Sequence, residues 1–168
     1  MLRTLCAALG LCVAGLGAVP ALAQSIIKDE LIFERGQWTV SKVATDDGTL
    51  YCVAAVRGEN AWVNVWIEAD GTTGIQFDSE DWGYDISTET FIATIDDRKS
   101  LNLTNPEIDE TAVYFDLPFE RKNVTFFRDL RAGRELYLNN TAGELIARFP
   151  LEGSSASIDA VDACVDTL

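Results

Sequence analysis

An antiparallel all-β domain, a β-sandwich or a barrel-like meander with one or two short helices, the last at the C-terminus, is the fold class that this sequence predicts. Short segments of alternating apolar and polar residues recur at intervals of about ten residues, separated by Asp-Gly, Arg-Gly, Asn-Pro and Asn-Asn turn signals. The strand pattern stops at Phe149-Pro150, and after Gly153 the apolar spacing changes to steps of three and four. Only two cysteines, Cys52 and Cys164, lie beyond the N-terminal leader, one among the early strands and one in that last helix.

The leader is read from its three parts. Arg3 supplies a positive n-region, residues 5–19 form an apolar run, and Ala21-Leu22-Ala23 is an A-x-A cleavage site. The run is too short for a transmembrane helix, and no later stretch is long and apolar enough to be one. The expected organisation is a signal peptide over 1–23, cleaved near Ala23, and a single β-rich domain over 24–168 in the periplasm or outside the cell. Cys6 and Cys12 leave with the leader. Two cysteines in an exported chain are expected to pair, the alternatives being free thiols or an intermolecular bridge. A Cys52–Cys164 bridge closes a long loop, for which chain-entropy arithmetic gives roughly 5 kcal/mol as an upper figure.

The chain carries 13 Lys and Arg against 27 Asp and Glu, a net charge of −14; Arg3 is the one charged residue of the leader, so the remainder stands at −15. A field of that sign repels phosphate backbones and anionic lipid heads, so no nucleic-acid partner is expected. An acidic surface serves solubility, and the sharper alternative is a cationic partner or a bound cation.

Taken in order, residues 24–35 are a lead-in, with a short edge strand at Leu31-Ile32-Phe33. Segment 37–43 alternates, with Trp38, Val40 and Lys42 on one side; Thr45-Asp46-Asp47-Gly48 turns the chain, Asp47-Gly48 being a hairpin pair. Strand 50–57 leads through Arg57-Gly58-Glu59-Asn60 into 62–69. There Val63, Val65, Ile67 and Ala69 form the core side, and Trp62, Asn64, Trp66 and Glu68 the other. Asp70-Gly71 turns again, and 74–77 points Ile75 and Phe77 inward. Segments 90–96 and 100–104 form a hairpin around Asp97-Arg98, 105–110 is a loop, and strand 112–117 ends at Pro118. Asn123 is placed to cap a helix over 124–132, with Val124, Phe127, Leu130 and Arg131 at helical spacing and Gly133 as its stop. Segments 135–138 and 144–149 pair around Asn139-Asn140-Thr141-Ala142-Gly143. Ser154 or Ser155 caps the terminal helix, which sets Ile158, Val161, Val165 and Leu168 on one side and Asp159, Asp162 and Asp166 on the other. Both helices are expected to decorate one end or edge of the strands.

The chemistry is bounded by what is missing. With no histidine, Ser-His-Asp and Cys-His catalysis and the usual zinc and copper ligand sets are unavailable. There is no Cys-x-x-Cys, Walker loop or dinucleotide fingerprint, and Gly153-Ser154-Ser155-Ala156-Ser157 lacks the second glycine of a nucleophile elbow. No catalytic residue, metal site or cofactor is assigned. Carboxylates remain, which a glycosidase-like hydrolase needs only in pairs. Asp78, Glu80, Asp81 and Asp85, crowded with Trp82 and Tyr84 into one loop, are a possible calcium site on oxygen ligands, although the spacing matches no EF-hand and an acidic surface loop is the plainer reading. Trp62 and Trp66, sharing a strand side with Asn64, are a possible binding face for a saccharide or a protein partner, or else the cover of a second core layer.

The order of features resembles the invasion-associated locus B type of periplasmic proteins from alphaproteobacteria. It rests on the leader, Gly36-Gln37-Trp38-Thr39-Val40, Tyr51-Cys52-Val53-Ala54-Ala55, the hairpins, and Phe149-Pro150-Leu151-Glu152-Gly153-Ser154-Ser155-Ala156-Ser157 before a terminal helix. The resemblance spans most of the chain beyond the leader. The chain differs from the pattern at Ser41-Lys42, where a cysteine often follows the first Trp-x-Val, and it lacks the later Gly-Cys element. The resemblance implies a small exported β protein of the cell envelope, with a role in host-cell interaction and no catalytic residues to carry over.

Overall fold

The computed structural model of the chain describes residues 25–81, 90–98, 100–109 and 111–168. In chain order these form β1 (Ile26–Arg35), β2 (Trp38–Thr45), β3 (Leu50–Arg57), β4 (Trp62–Glu68), β5 (Thr73–Asp78), β6 (Phe91–Ile95), β7 (Leu101–Leu103), β8 (Glu107–Asp109), β9 (Ala112–Asp116), α1 (Arg121–Ala132), β10 (Glu135–Asn140), β11 (Leu145–Pro150) and α2 (Ser154–Val165). The strands make two antiparallel sheets, one in the order β1-β2-β3-β4-β5-β9-β8 and one in the order β11-β10-β6-β7. Neither closes on itself, so of the two architectures expected the molecule adopts the sandwich.

Three hairpins share one turn design. In each, a residue at the end of the first strand accepts a hydrogen bond from the N–H of a glycine three residues on: Gly48 to Thr45, Gly71 to Glu68 and Gly143 to Asn140, at 3.0–3.1 Å. Each glycine has φ between 83° and 91°, the left-handed region that glycine enters without a Cβ clash. These are three-residue loops with a bulge; Asp47-Gly48 and Asp70-Gly71, expected to turn the first two hairpins, lie within them, and the third falls inside the connection expected at 139–143. Side chains brace them. Asp47 accepts from the Thr49 N–H, Asp70 from the Thr72 N–H, and Asn140 from the N–H groups of Ala142 and Glu144.

The alternation of each strand decides what is buried. The inner side of the large sheet carries Trp38, Val40, Cys52, Ala54, Val56, Val63, Val65, Ile75, Phe77, Val113 and Phe115, all essentially inaccessible. The small sheet meets them with Phe91, Ala93, Ile95, Leu101, Leu103, Leu136, Leu138, Ala147 and Phe149. Phe77 lies 5.7 Å from Phe149 and 6.4 Å from Phe115, and Phe115 lies 5.8 Å from Phe91, ring centre to ring centre. Each such buried side chain contributes about 1.5–3 kcal/mol of transfer free energy.

Four strands cannot cover seven. The remaining inner surface is covered by α2, which packs against β1, β2, β3 and β4 through Ile158, Val161 and Cys164. The expectation that both helices decorate an end or edge is therefore corrected: α2 is part of the second layer. Its apolar and acidic sides fall as the spacing predicts, with Asp159, Asp162 and Asp166 exposed. Arg131 of α1 reaches Asp159 and Asp162 at 2.5 Å each, pinning the two helices together. Arg98, at the β6–β7 turn, donates to the carbonyls of Asp129 and Ala132, placing a cation at the C-terminal end of α1.

Local expectations fail in four places. The serine cap of α2 is absent. Gly153, at φ 101°, precedes the helix, because a Cβ there would stand 2.6 Å from the Arg35 carbonyl oxygen, and the buried Ser154 hydroxyl instead donates to the Leu130 carbonyl at 2.7 Å. Asn123 is likewise no cap: α1 starts at Arg121, and the Asn123 amide turns back to the Pro118 carbonyl at 2.7 Å. That shift buries Phe126 and Leu130 and leaves Val124 exposed. The stretch expected as a loop at 105–110 contains β8, paired to β9. The short edge strand expected at Leu31-Ile32-Phe33 is the ten-residue β1.

Candidate functional site

The candidate site is the outer side of the large sheet, and the strand register assembles it. Across β3, β4, β5 and β9, Ala55, Asn64, Gln76 and Tyr114 form one row, Val53, Trp66, Gly74 and Asp116 a second, and Arg57, Trp62, Asp78 and Ala112 a third. Residues opposite one another on antiparallel strands project to the same side. Trp62, Asn64 and Trp66 therefore stand together, as the alternation predicts, and acquire Gln76, Tyr114 and Arg57 as neighbours. Among the described residues, neither helix nor the small sheet packs over this side.

Each member is held. The Asn64 amide donates to Gln76 Oε1 at 3.1 Å, which aligns two side chains that still have donors and acceptors to offer. The Arg57 guanidinium carbon lies 5.7 Å from the ring centre of Trp62, within cation–π range, while 42% of Trp62 remains open to solvent. Trp66 meets Tyr114 edge to face, with centroids 6.3 Å apart and planes at 70°. A Cβ built on Gly74 would stand 2.0 Å from Trp66 Cζ2 and 2.3 Å from its Cη2, so the indole lies across bare backbone. Gly74→Ala is expected to lift Trp66 out of this position and to destabilise the fold by about 1–3 kcal/mol. Denaturant melts would measure the loss, and placing Trp66→Ala in the same chain should recover part of it because the two residues act on one contact.

One end of this side is acidic. Partial burial pushes the Glu68 carboxyl above the ordinary glutamate range, and the like charges of Asp70, Asp116 and Asp47 push it the same way. Burial likewise raises the Tyr51 phenol, with Asp29 adding to the effect.

The acidic loop is a different matter. Asp78 ends β5, and its Oδ1 accepts from the Thr111 hydroxyl at 3.2 Å. The Ser79 hydroxyl donates to the Asn60 carbonyl at 2.6 Å and accepts from the Asp81 N–H at 3.3 Å. Glu80 and Asp81 are exposed, and Asp85 lies outside the described residues, as do Trp82 and Tyr84. Among the described residues, no three Cys, Asp or Glu side chains are gathered into a set that could hold a metal ion.

The two cysteines sit on the opposite side of the same sheet. Cys52 of β3 and Cys164 of α2 form a disulfide with a Cα–Cα distance of 6.1 Å, inside the range that a bridge requires. Among the described residues, no helix is long and apolar enough to cross a membrane. Comparison of the chain with protein-family models, with curated proteins and with solved structures returned no match.

Proposed function

We propose that this chain is an exported, non-catalytic binding protein of the periplasm or cell envelope, and that a protein or saccharide ligand lies on the outer side of its seven-stranded sheet. The observation that carries this reading is the row of Trp62, Asn64 with Gln76, and Trp66 with Tyr114, over which neither helix nor the small sheet packs among the described residues. Indole and phenol rings offer large contact area at small entropic loss and stack on the apolar faces of sugars or side chains, while aligned amides bond hydroxyls or peptide groups. The leader and the cystine support the exported address. The lack of histidine supports a role without nucleophilic chemistry. The resemblance to the invasion-associated locus B type agrees with an envelope setting.

The test is capture from a solubilised envelope extract on immobilised protein, beside a screen against glycoside and ester substrates. A retained protein or glycan that is lost at least about tenfold with Trp62→Ala is the expected result, tenfold being a loss of about 1.4 kcal/mol. Turnover of any substrate in the screen, abolished by a single Asp or Glu substitution, would replace the binding reading with a carboxylate hydrolase.

A further inference from the structure

Among the described residues the large sheet ends in two edge strands, β8 and the longer β1. β1 is ten residues long, and Ile26, Ile27, Leu31 and Ile32 are 59%, 68%, 54% and 42% exposed. Edge strands ordinarily defend themselves by being short, by carrying charge or by bulging, since unpaired N–H and C=O groups template another strand; β1 carries charge and two register shifts, yet keeps its length and four exposed apolar side chains. Five of the ten residues are charged: Glu34 and Arg35 close the strand, and the central run Lys28, Asp29 and Glu30 is flanked by Ile26 and Ile27 on one side and by Leu31, Ile32 and Phe33 on the other.

That pattern is complementary to itself. If a second β1 runs antiparallel about a two-fold axis at Asp29, Lys28 of each copy stands opposite Glu30 of the other. Ile27 then stands opposite Leu31, and Ile26 opposite Ile32. Other axes lose the match. An axis at Glu30 sets Lys28 against Ile32 and Ile26 against Glu34; one at Leu31 sets Asp29 against Phe33 and Ile27 against Arg35; one between Asp29 and Glu30 sets like charges together. Lys28 and Glu30 already pair within one copy at 2.7 Å, so both side chains lie on the same side of the strand, where a cross-strand pair requires them. The register shifts of β1 against β2 fall between Ile26 and Lys28 and between Leu31 and Phe33, outside the charged centre.

We propose that the partner of this edge is a second copy of the chain, and that two β1 strands join the large sheets into one continuous fourteen-stranded sheet, seven strands from each copy. The arrangement is isologous and closed, because both copies use the same edge and that edge is consumed in the pair. It leaves the opposite edge, β8, and the ligand side free, so it does not depend on the ligand reading.

Sedimentation velocity of the secreted protein over roughly 1–500 µM covers the affinities of small interfaces. A mass of twice the chain is expected within that range. Lys28→Glu sets a carboxylate against Glu30 of the other copy at two symmetric places and should weaken the dimer at least about tenfold, while Lys28→Glu with Glu30→Lys should restore it. Asp29→Asn, which removes the like-charge pair on the axis, should tighten it. Far-UV circular dichroism and an intact Cys52–Cys164 bridge confirm that each variant is folded. A monomer throughout the range would overturn the proposal and leave the edge to a foreign strand. A dimer indifferent to Lys28→Glu would overturn it equally, by placing the contact elsewhere.

Discussion

Removing the Cys52–Cys164 bridge is expected to destabilise the protein by about 2–5 kcal/mol, the usual range for a native disulfide. The bridge joins residues 112 apart in sequence, so without it the unfolded chain regains a large share of its freedom. The folded state is also specific about what it holds. Cys164 lies on the side of α2 that carries Ile158 and Val161, and this side covers the inner surface of the large sheet that the four-stranded sheet leaves open. A loosened α2 uncovers Trp38 and Val40 as well as its own residues. Denaturant melts with and without reductant measure the loss. Cys52→Ala and Cys164→Ala should each cost about as much as reduction, and the double variant little more than either, because all three remove one covalent link. Additive single losses would mean that the two side chains stabilise the fold independently of their bond.

Phe149→Ala should cost about 3–5 kcal/mol, the range for truncating a fully buried aromatic ring. Phe149 is wholly inaccessible and stands between the two sheets, 5.7 Å from Phe77. Its ring also lies 3.0 Å from where a Cβ on Gly58 would be, at the place where the β3–β4 turn passes close to β11. Neighbours held by backbone pairing cannot collapse into the space left behind. Leu145→Ala, on the same strand at 59% exposure, is the internal control and should change stability by no more than about 0.5 kcal/mol. Equal losses at the two positions would contradict the placement of the core.

Period-two alternation made most of this sandwich legible, since Val63, Val65, Ile75 and Phe77 can share a buried side only if Trp62, Asn64 and Trp66 share the other. The turn length was legible too, through a signal that local turn preference obscures. A two-residue turn at Asp70-Gly71 would set Ile75 opposite Trp66 and mix core with surface, whereas the observed loop sets Val63 opposite Phe77 and Trp66 opposite Gly74. The same parity, with Trp38 opposite Val56, governs the loop at Gly48. Gly74, Gln76 and Tyr114 could have been assigned to the site by this argument. β8 could not: Glu107-Ile108-Asp109 has one apolar residue after a proline, and its strand character comes from pairing with β9. The helix starts failed because Ser154 spends its side chain on the distant Leu130, a tertiary contact, and Asn123 on Pro118 just ahead of its helix, rather than on their own first turns. The position of α2 between β1 and β4 follows from the unequal widths of the two sheets, which no local pattern encodes.

Hydroxyl-radical footprinting of the protein, alone and with envelope extract, tests the functional claim most directly, because the reagent labels exposed tryptophan and tyrosine rings at identified positions. The account predicts that labelling of Trp62 falls on addition of extract, that Trp66 and Tyr114 fall with it, and that the exposed Phe119 near α1 is unchanged. Undiminished labelling of Trp62, with protection elsewhere or nowhere, would contradict it.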